Sequence, residues 1–169
     1  MWILRGISFE ISQSGDFMLW EILERIRFRK KIWYVDLQQT EVWNKENDEF
    51  FFEKDVFSSD ELYKLIRTPH FPIFLKLEAY RADNKGLHPP IHTFSDFIHS
   101  KCLLVLLLYD CNQIEIYTKK SIDLLALWVL SKQNCFSKSK LITSKNDSRT
   151  KMDVHGTGDG SLSHDEKPN

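Results

Sequence analysis

The sequence predicts a single α+β domain built on a mixed β-sheet, with about four helices packed on it. Three observations lead there. The chain has 169 residues, the size of one ordinary domain, and its 42% hydrophobic content is enough for a real core. It contains the uncharged run Cys102-Leu-Leu-Val-Leu-Leu-Leu-Tyr109. A membrane helix needs about 20 apolar residues, so this run reads as a strand buried on both faces, beneath helices. Helical and alternating segments then follow one another without a strict β-α-β cadence.

The first strand falls in residues 2–11, where Ile3, Ile7, Phe9 and Ile11 share a face and Arg5 intrudes. Gln13-Ser-Gly-Asp16 is a turn, with Asp16 suited to the positive start of a helix. That helix covers residues 17–27. Leu19, Ile22, Leu23 and Ile26 recur at helical spacing, and Glu21 and Arg25 stand i,i+4 on the wet side. Residues 32–37 give a second strand, and Glu41-Val-Trp43 and Glu49-Phe-Phe-Phe52 are shorter candidates. Ser58 and Glu61 have capping-box spacing; the helix they open turns Leu62, Leu65 and Ile66 inward and stops before Pro69.

Residues 71–80 alternate, with Ile73, Leu75, Leu77 and Ala79 facing one way and Lys76 and Glu78 the other. Residues 81–92 hold Gly86 and Pro89-Pro90 and form a loop. Thr93 caps a short helix with Phe94, Phe97 and Ile98 on one side. After the buried strand, Asp110-Cys-Asn112 turns the chain into Ile114-Glu-Ile-Tyr117 as a hairpin. Ser121 caps a last helix that runs to about Gln133, and residues 138–143 make a closing strand. The domain spans residues 1–152. Residues 153–169 are almost without apolar side chains and read as a disordered tail.

Composition narrows the function classes. The 23 basic and 24 acidic residues nearly cancel, which argues against a global grip on nucleic acid or anionic lipid. Arg25-Ile-Arg-Phe-Arg-Lys-Lys31 is a local basic patch, but cations at a helix end complement its negative pole, so nucleic acid is not the expected partner. Cys102, Cys111 and Cys135 are odd in number and widely spaced, unlike a disulfide framework or a zinc site. His88 and His92 stand four apart with Pro89-Pro90 between them, which no helix can bring onto one face. Glu46, Asp48, Glu49, Glu53 and Asp55 read as a solvated face. No phosphate-binding loop, nucleophile elbow or dinucleotide fingerprint occurs, so no cofactor is expected. Without a signal peptide or spanning segment the expected location is the cytoplasm, away from membranes.

Two features remain as candidate partner sites. On the last helix, Ile122, Leu125, Ala126, Val129 and Leu130 make one apolar face. Leu124, Leu127 and Trp128 lie outside it, so they are either sandwiched in the core or offered to a partner. The second is Asn146-Asp-Ser-Arg-Thr150, in which Asp147 and Arg149 either tie the C-terminal end to the sheet or form a polar contact site. The expected role is therefore non-catalytic binding of another protein, of which an immunity-type inhibitor is one version by analogy. A small enzyme whose site gathers distant groups such as His92, Asp110 and Arg149 and a weak nucleic-acid binder acting through Arg25–Lys31 are the competing expectations.

Arg5-Gly-Ile-Ser-Phe-Glu-Ile11, Trp20-Glu-Ile-Leu23, Trp33-Tyr34, Ile114-Glu-Ile-Tyr117 and Asn146-Asp-Ser-Arg-Thr150 together resemble a small family of uncharacterised proteins from Bacillus and related Firmicutes. The resemblance covers about residues 1–152. It implies a bacterial source, and no activity, cofactor or site residue comes with it.

Overall fold

A computed structural model describes residues 1–12, 19–26, 30–84, 86, 88–133 and 136–154. The elements run β1 (Leu4–Glu10), α1 (Leu19–Leu23), β2 (Lys31–Val35), β3 (Glu41–Asn44), β4 (Val56–Ser58), α2 (Ser59–Ile66), β5 (His70–Arg81), α3 (Phe94–His99), β6 (Leu104–Tyr109), β7 (Gln113–Thr118), α4 (Ser121–Gln133) and β8 (Ser137–Thr143). The strands form one sheet in the order β4-β2-β5-β6-β7-β1-β8, with β3 also paired to β5. Every pairing among the described residues is antiparallel, which corrects the mixed sheet expected from sequence. Short connections such as Asp110-Cys-Asn112, where Asp110 and Cys111 take positive φ, join neighbouring strands directly, so no parallel crossover arises.

The apolar run becomes β6, central in the sheet and buried from Leu104 to Leu108. Its two faces are covered differently. Leu104, Leu106 and Leu108 join Ile7, Phe9, Leu75, Leu77 and Ile116 beneath residues of α1, α2 and α4. Val105 and Leu107 lie with Tyr80 and Tyr117 under Phe97 of α3, Ile91, Met152 and Val154. The second cover is thus one short helix and two extended segments rather than a helical layer.

Local chemistry explains the boundaries. Ser58 accepts the Glu61 N–H while Glu61 accepts the Ser58 N–H, and Thr93 and Asp96 repeat this capping box on α3. A register shift between Leu4 and Gly6 re-aims Arg5, which leaves the Ile7 face and stacks over the Phe94 ring. Glu49-Phe-Phe-Phe52 forms only a bridge between Phe50 and Trp43, and the strand in this region is β4. Within the described residues Glu24, rather than Glu21, meets an arginine, Arg67 at 3.7 Å. The expected turn at residues 13–16, the helix ends at 17 and 27, and the tail beyond Val154 lie outside the described residues. Asp153 and Val154 do not belong to a tail. Val154 is buried and donates its N–H to Gln39, so the packed unit extends past the boundary expected at residue 152.

The last helix is turned about its axis relative to expectation. Its buried residues are Asp123, Leu124, Leu127, Leu130 and Ser131, whereas Ile122, Leu125 and Val129 are exposed. The helix is apolar nearly all round, so sequence periodicity could not select the buried face. The buried polar groups on the inner side are satisfied: Thr118 donates to Asp123 at 3.5 Å, and Ser131 donates to the Trp128 carbonyl within the helix.

Candidate functional site

On the second sheet face, β5 carries Lys76, Glu78 and Tyr80 at alternate positions, all buried. β2 lies beside it with Tyr34 opposite Glu78, and Asp36 follows, its N–H donating to the Lys76 carbonyl at 3.1 Å. The 88–92 segment closes the far side, and its His88 ring stacks on Tyr80 at 3.8 Å. Between them is an open cleft of about 410 Å³, lined among others by Tyr34, Asp36, Asp55, Glu78, His88 and His92.

The cleft has a defined electrostatic character. Tyr80 donates to Glu78 Oε2 at 2.6 Å, and this is the one hydrogen bond to that carboxyl among the described residues. Burial pushes the Glu78 pKa up, against the pull of the Tyr80 hydroxyl and Lys76. The Tyr34 phenol is also pushed up, by burial and by the Asp36, Asp55 and Glu78 carboxylates around it. Lys76 sits at the floor, but its ammonium donates to the Ile91 carbonyl and lies 3.4 Å from Asp153. Asp153 also accepts from Gln39 at 2.9 Å and faces His92 Nδ1 at 3.4 Å. Burial would raise its pKa; the Gln39 hydrogen bond and the Lys76 charge outweigh that and hold it down. The single cation at the floor is therefore compensated, and three carboxyl groups line the cleft.

Next to this cleft, and sharing Leu37 with it, is an apolar depression of about 240 Å³ lined by Thr40, Val42, Phe50 and Phe52. Phe50 is 62% exposed and Leu37 44%, large values for side chains of this size. The apolar hollow and one wall of the cleft belong to an acidic part of the chain: residues 36–61 hold nine Asp and Glu against two Lys, although the whole protein carries only −1. One of those lysines, Lys54, is paired with Glu61 at 2.7 Å.

The candidates expected from sequence fall elsewhere. Leu124 and Leu127 are core residues and cannot present a surface, and Trp128 is half-buried under Lys132. Asp147 accepts from Arg5 at 3.0 Å and from Tyr117 at 3.1 Å. Arg149 holds Glu115 and the carbonyls of Lys151 and Asp153. Both side chains tie the C-terminal segment to the sheet, the structural alternative weighed for them. His92 and Arg149 do converge, each contacting Asp153. Asp110 stays in the β6–β7 turn, with no hydrogen bond or ion pair to either among the described residues. In the basic patch, Lys31 is buried in β2, and residues 27–29 lie outside the described residues. Among the described residues no group of His, Cys, Asp and Glu could hold a metal ion, and no helix is long and apolar enough to cross a membrane. Cys102 is buried and reduced; Cys135 lies outside the described residues.

Sequence reasoning missed the cleft because Asp36, Asp55 and Glu78 share no spacing. One signal was present: two charges, Lys76 and Glu78, alternate with core residues on a strand covered on both faces.

The fold is thus an antiparallel sheet domain with one acidic, aromatic recess and an adjoining apolar hollow. The chain belongs to the DUF2691 family, described as a protein of unknown function, which matches residues 4–153. It is similar to "Uncharacterized protein YncE" of Bacillus subtilis (strain 168), 28% identical over 153 residues that cover 89% of this chain and 99% of that protein. The family resemblance noted from sequence is therefore established. No solved structure matches the chain.

Proposed function

We propose that this protein is a non-catalytic, cytoplasmic binding domain that recognises a basic protein through the acidic lobe of residues 36–61. The observation that carries this is the segregation of charge: in a nearly neutral chain, residues 36–61 hold nine Asp and Glu against two Lys, and the same segment supplies Asp36 and Asp55 to the cleft and the exposed Leu37 and Phe50. Such a surface steers a cationic partner and gives it apolar area to bury. An inhibitor of a basic toxin fits the same description, by analogy with other small α+β proteins.

Affinity capture from a Bacillus lysate tests it with three baits: the wild type, the triple variant Glu46→Lys, Asp48→Lys, Glu49→Lys, and Leu125→Glu on the exposed α4 face. A stoichiometric basic partner should be held by the wild type and by Leu125→Glu, and released by the triple variant and by salt. A partner indifferent to the lobe charges, or no stoichiometric partner, overturns the reading.

An enzymatic reading has one observation in its favour, the buried Glu78 with its raised pKa beside His92 in a cleft. Turnover of a metabolite by the purified protein, abolished in Glu78→Gln, would replace binding with catalysis.

A further inference from the structure

Resting on that reading, we infer that the cleft and the adjoining hollow form one two-part socket for a basic side chain next to an apolar one. The basic group, an arginine or lysine of the partner, enters between Tyr34 and His88 toward Asp36, Asp55 and Glu78. Its apolar neighbour fills the hollow of Leu37, Phe50 and Phe52.

Four features point to this occupant. The hollows share Leu37, so neighbouring side chains of one peptide reach both. Glu78 is 97% removed from water by its 3% exposure, yet its carboxyl keeps a single hydrogen bond among the described residues, from Tyr80. A buried carboxyl so placed gains most from a cation delivered by a ligand. Tyr34 and His88, with ring centroids 6.4 Å apart, rim the opening and suit a guanidinium or ammonium group. The local cation that could oppose entry, Lys76, is engaged by Ile91 and Asp153.

Acidic ligands are excluded by the same geometry, since they would meet three carboxylates. A purely apolar peptide would fill the hollow and leave the cleft carboxylates unpaired. The partner's recognition segment is therefore a basic–apolar pair of residues displayed in an extended or turn conformation.

The test is a titration of acetyl-Leu-Arg-Leu-amide into the full chain, followed by backbone amide shifts, beside acetyl-Leu-Glu-Leu-amide and acetyl-Gly-Arg-Gly-amide. Shifts should cluster at residues 34–38 and 50–55 and at His88, Ile91 and His92. The arginine peptide should bind about tenfold more tightly than its glutamate counterpart and about threefold more tightly than the glycine version. Asp55→Asn and Phe50→Ala alter exposed side chains and leave the fold intact; each should weaken binding about threefold. Equal affinity for the arginine and glutamate peptides, shifts centred elsewhere, or no saturable shift overturns the socket. If the lobe still captures a basic partner while the tripeptides fail, the socket falls and the proposed function stands. If both fail, both fall.

Discussion

Arg149 Nε donates to Glu115 Oε2 at 2.5 Å, joining the C-terminal segment to the middle of β7. The same guanidinium donates to the carbonyls of Lys151 and Asp153, at 3.1 and 3.0 Å, so one side chain fixes the path of the segment that delivers Asp153 to Lys76.

Replacing it removes a partner from a largely buried pair. Arg149→Ala should cost about 3 kcal/mol of stability. Arg149→Lys should recover only part of that loss, because an ammonium cannot hold three acceptors in the guanidinium's planar arrangement. Urea unfolding of the three proteins measures the difference. Equal stability of all three would show the segment to be held by apolar packing of Met152 and Val154 alone.

Gly6 offers a sharper steric test. A Cβ there would sit 2.2 Å from the Ile116 carbonyl oxygen of the neighbouring strand, a backbone atom that cannot swing away. Gly6→Ala should destabilise by about 3 kcal/mol through forced separation of β1 and β7. Thermal unfolding reads this directly, and an unchanged melting temperature would refute the close approach.

His70 makes stability depend on pH. Its Nδ1 lies 2.7 Å from the Thr68 carbonyl and its Nε2 accepts the Leu19 N–H at 3.3 Å, so the folded ring is neutral. Burial pushes its pKa below the ordinary value of 6.5. The unfolded chain therefore takes up the proton first. This contribution is complete well above pH 6.5 and is lost as pH falls through that value toward the lower folded pKa. Chemical denaturation between neutral and mildly acidic pH should show the decline, and His70→Gln should flatten it.

The two faces of α4 separate in mutation. Leu127→Ala, in the core, should cost about 3 kcal/mol, while Leu125→Ala, at an exposed position, should stay within about 0.5 kcal/mol of wild type. The opposite order would restore the face assignment expected from sequence.

That reversed helix shows where sequence stops being informative. β6, the β6–β7 hairpin, the Ser58–Glu61 capping box, the Thr93 cap and the alternation of β5 were legible because each is a local pattern with a local cause. On α4 the pattern is nearly uniform, and the choice of face rests on how the helix packs against β1, β7 and β8. Arg5 looked like an intruder because a bulge cannot be seen in a single strand. The structural role of Asp147 and Arg149 was readable as one of two alternatives, while the cleft was not. Tyr34, Asp36, Asp55 and Glu78 meet only after β2, β4 and β5 align, and alignment is a property of pairing rather than of spacing.

The place of β1 between β7 and β8 has a consequence for synthesis. Gly6 meets Tyr117 and Leu4 meets Thr143, so β1 has no partner until β7 and β8, more than a hundred residues further along, have been made. Ile7 and Phe9 must wait exposed while the intervening chain is made, and closure of that half of the sheet is left to slow, long-range pairing. Messages cut short before β8 would yield chains with an open margin and a bare apolar strand, which is the material chaperones and proteases act on.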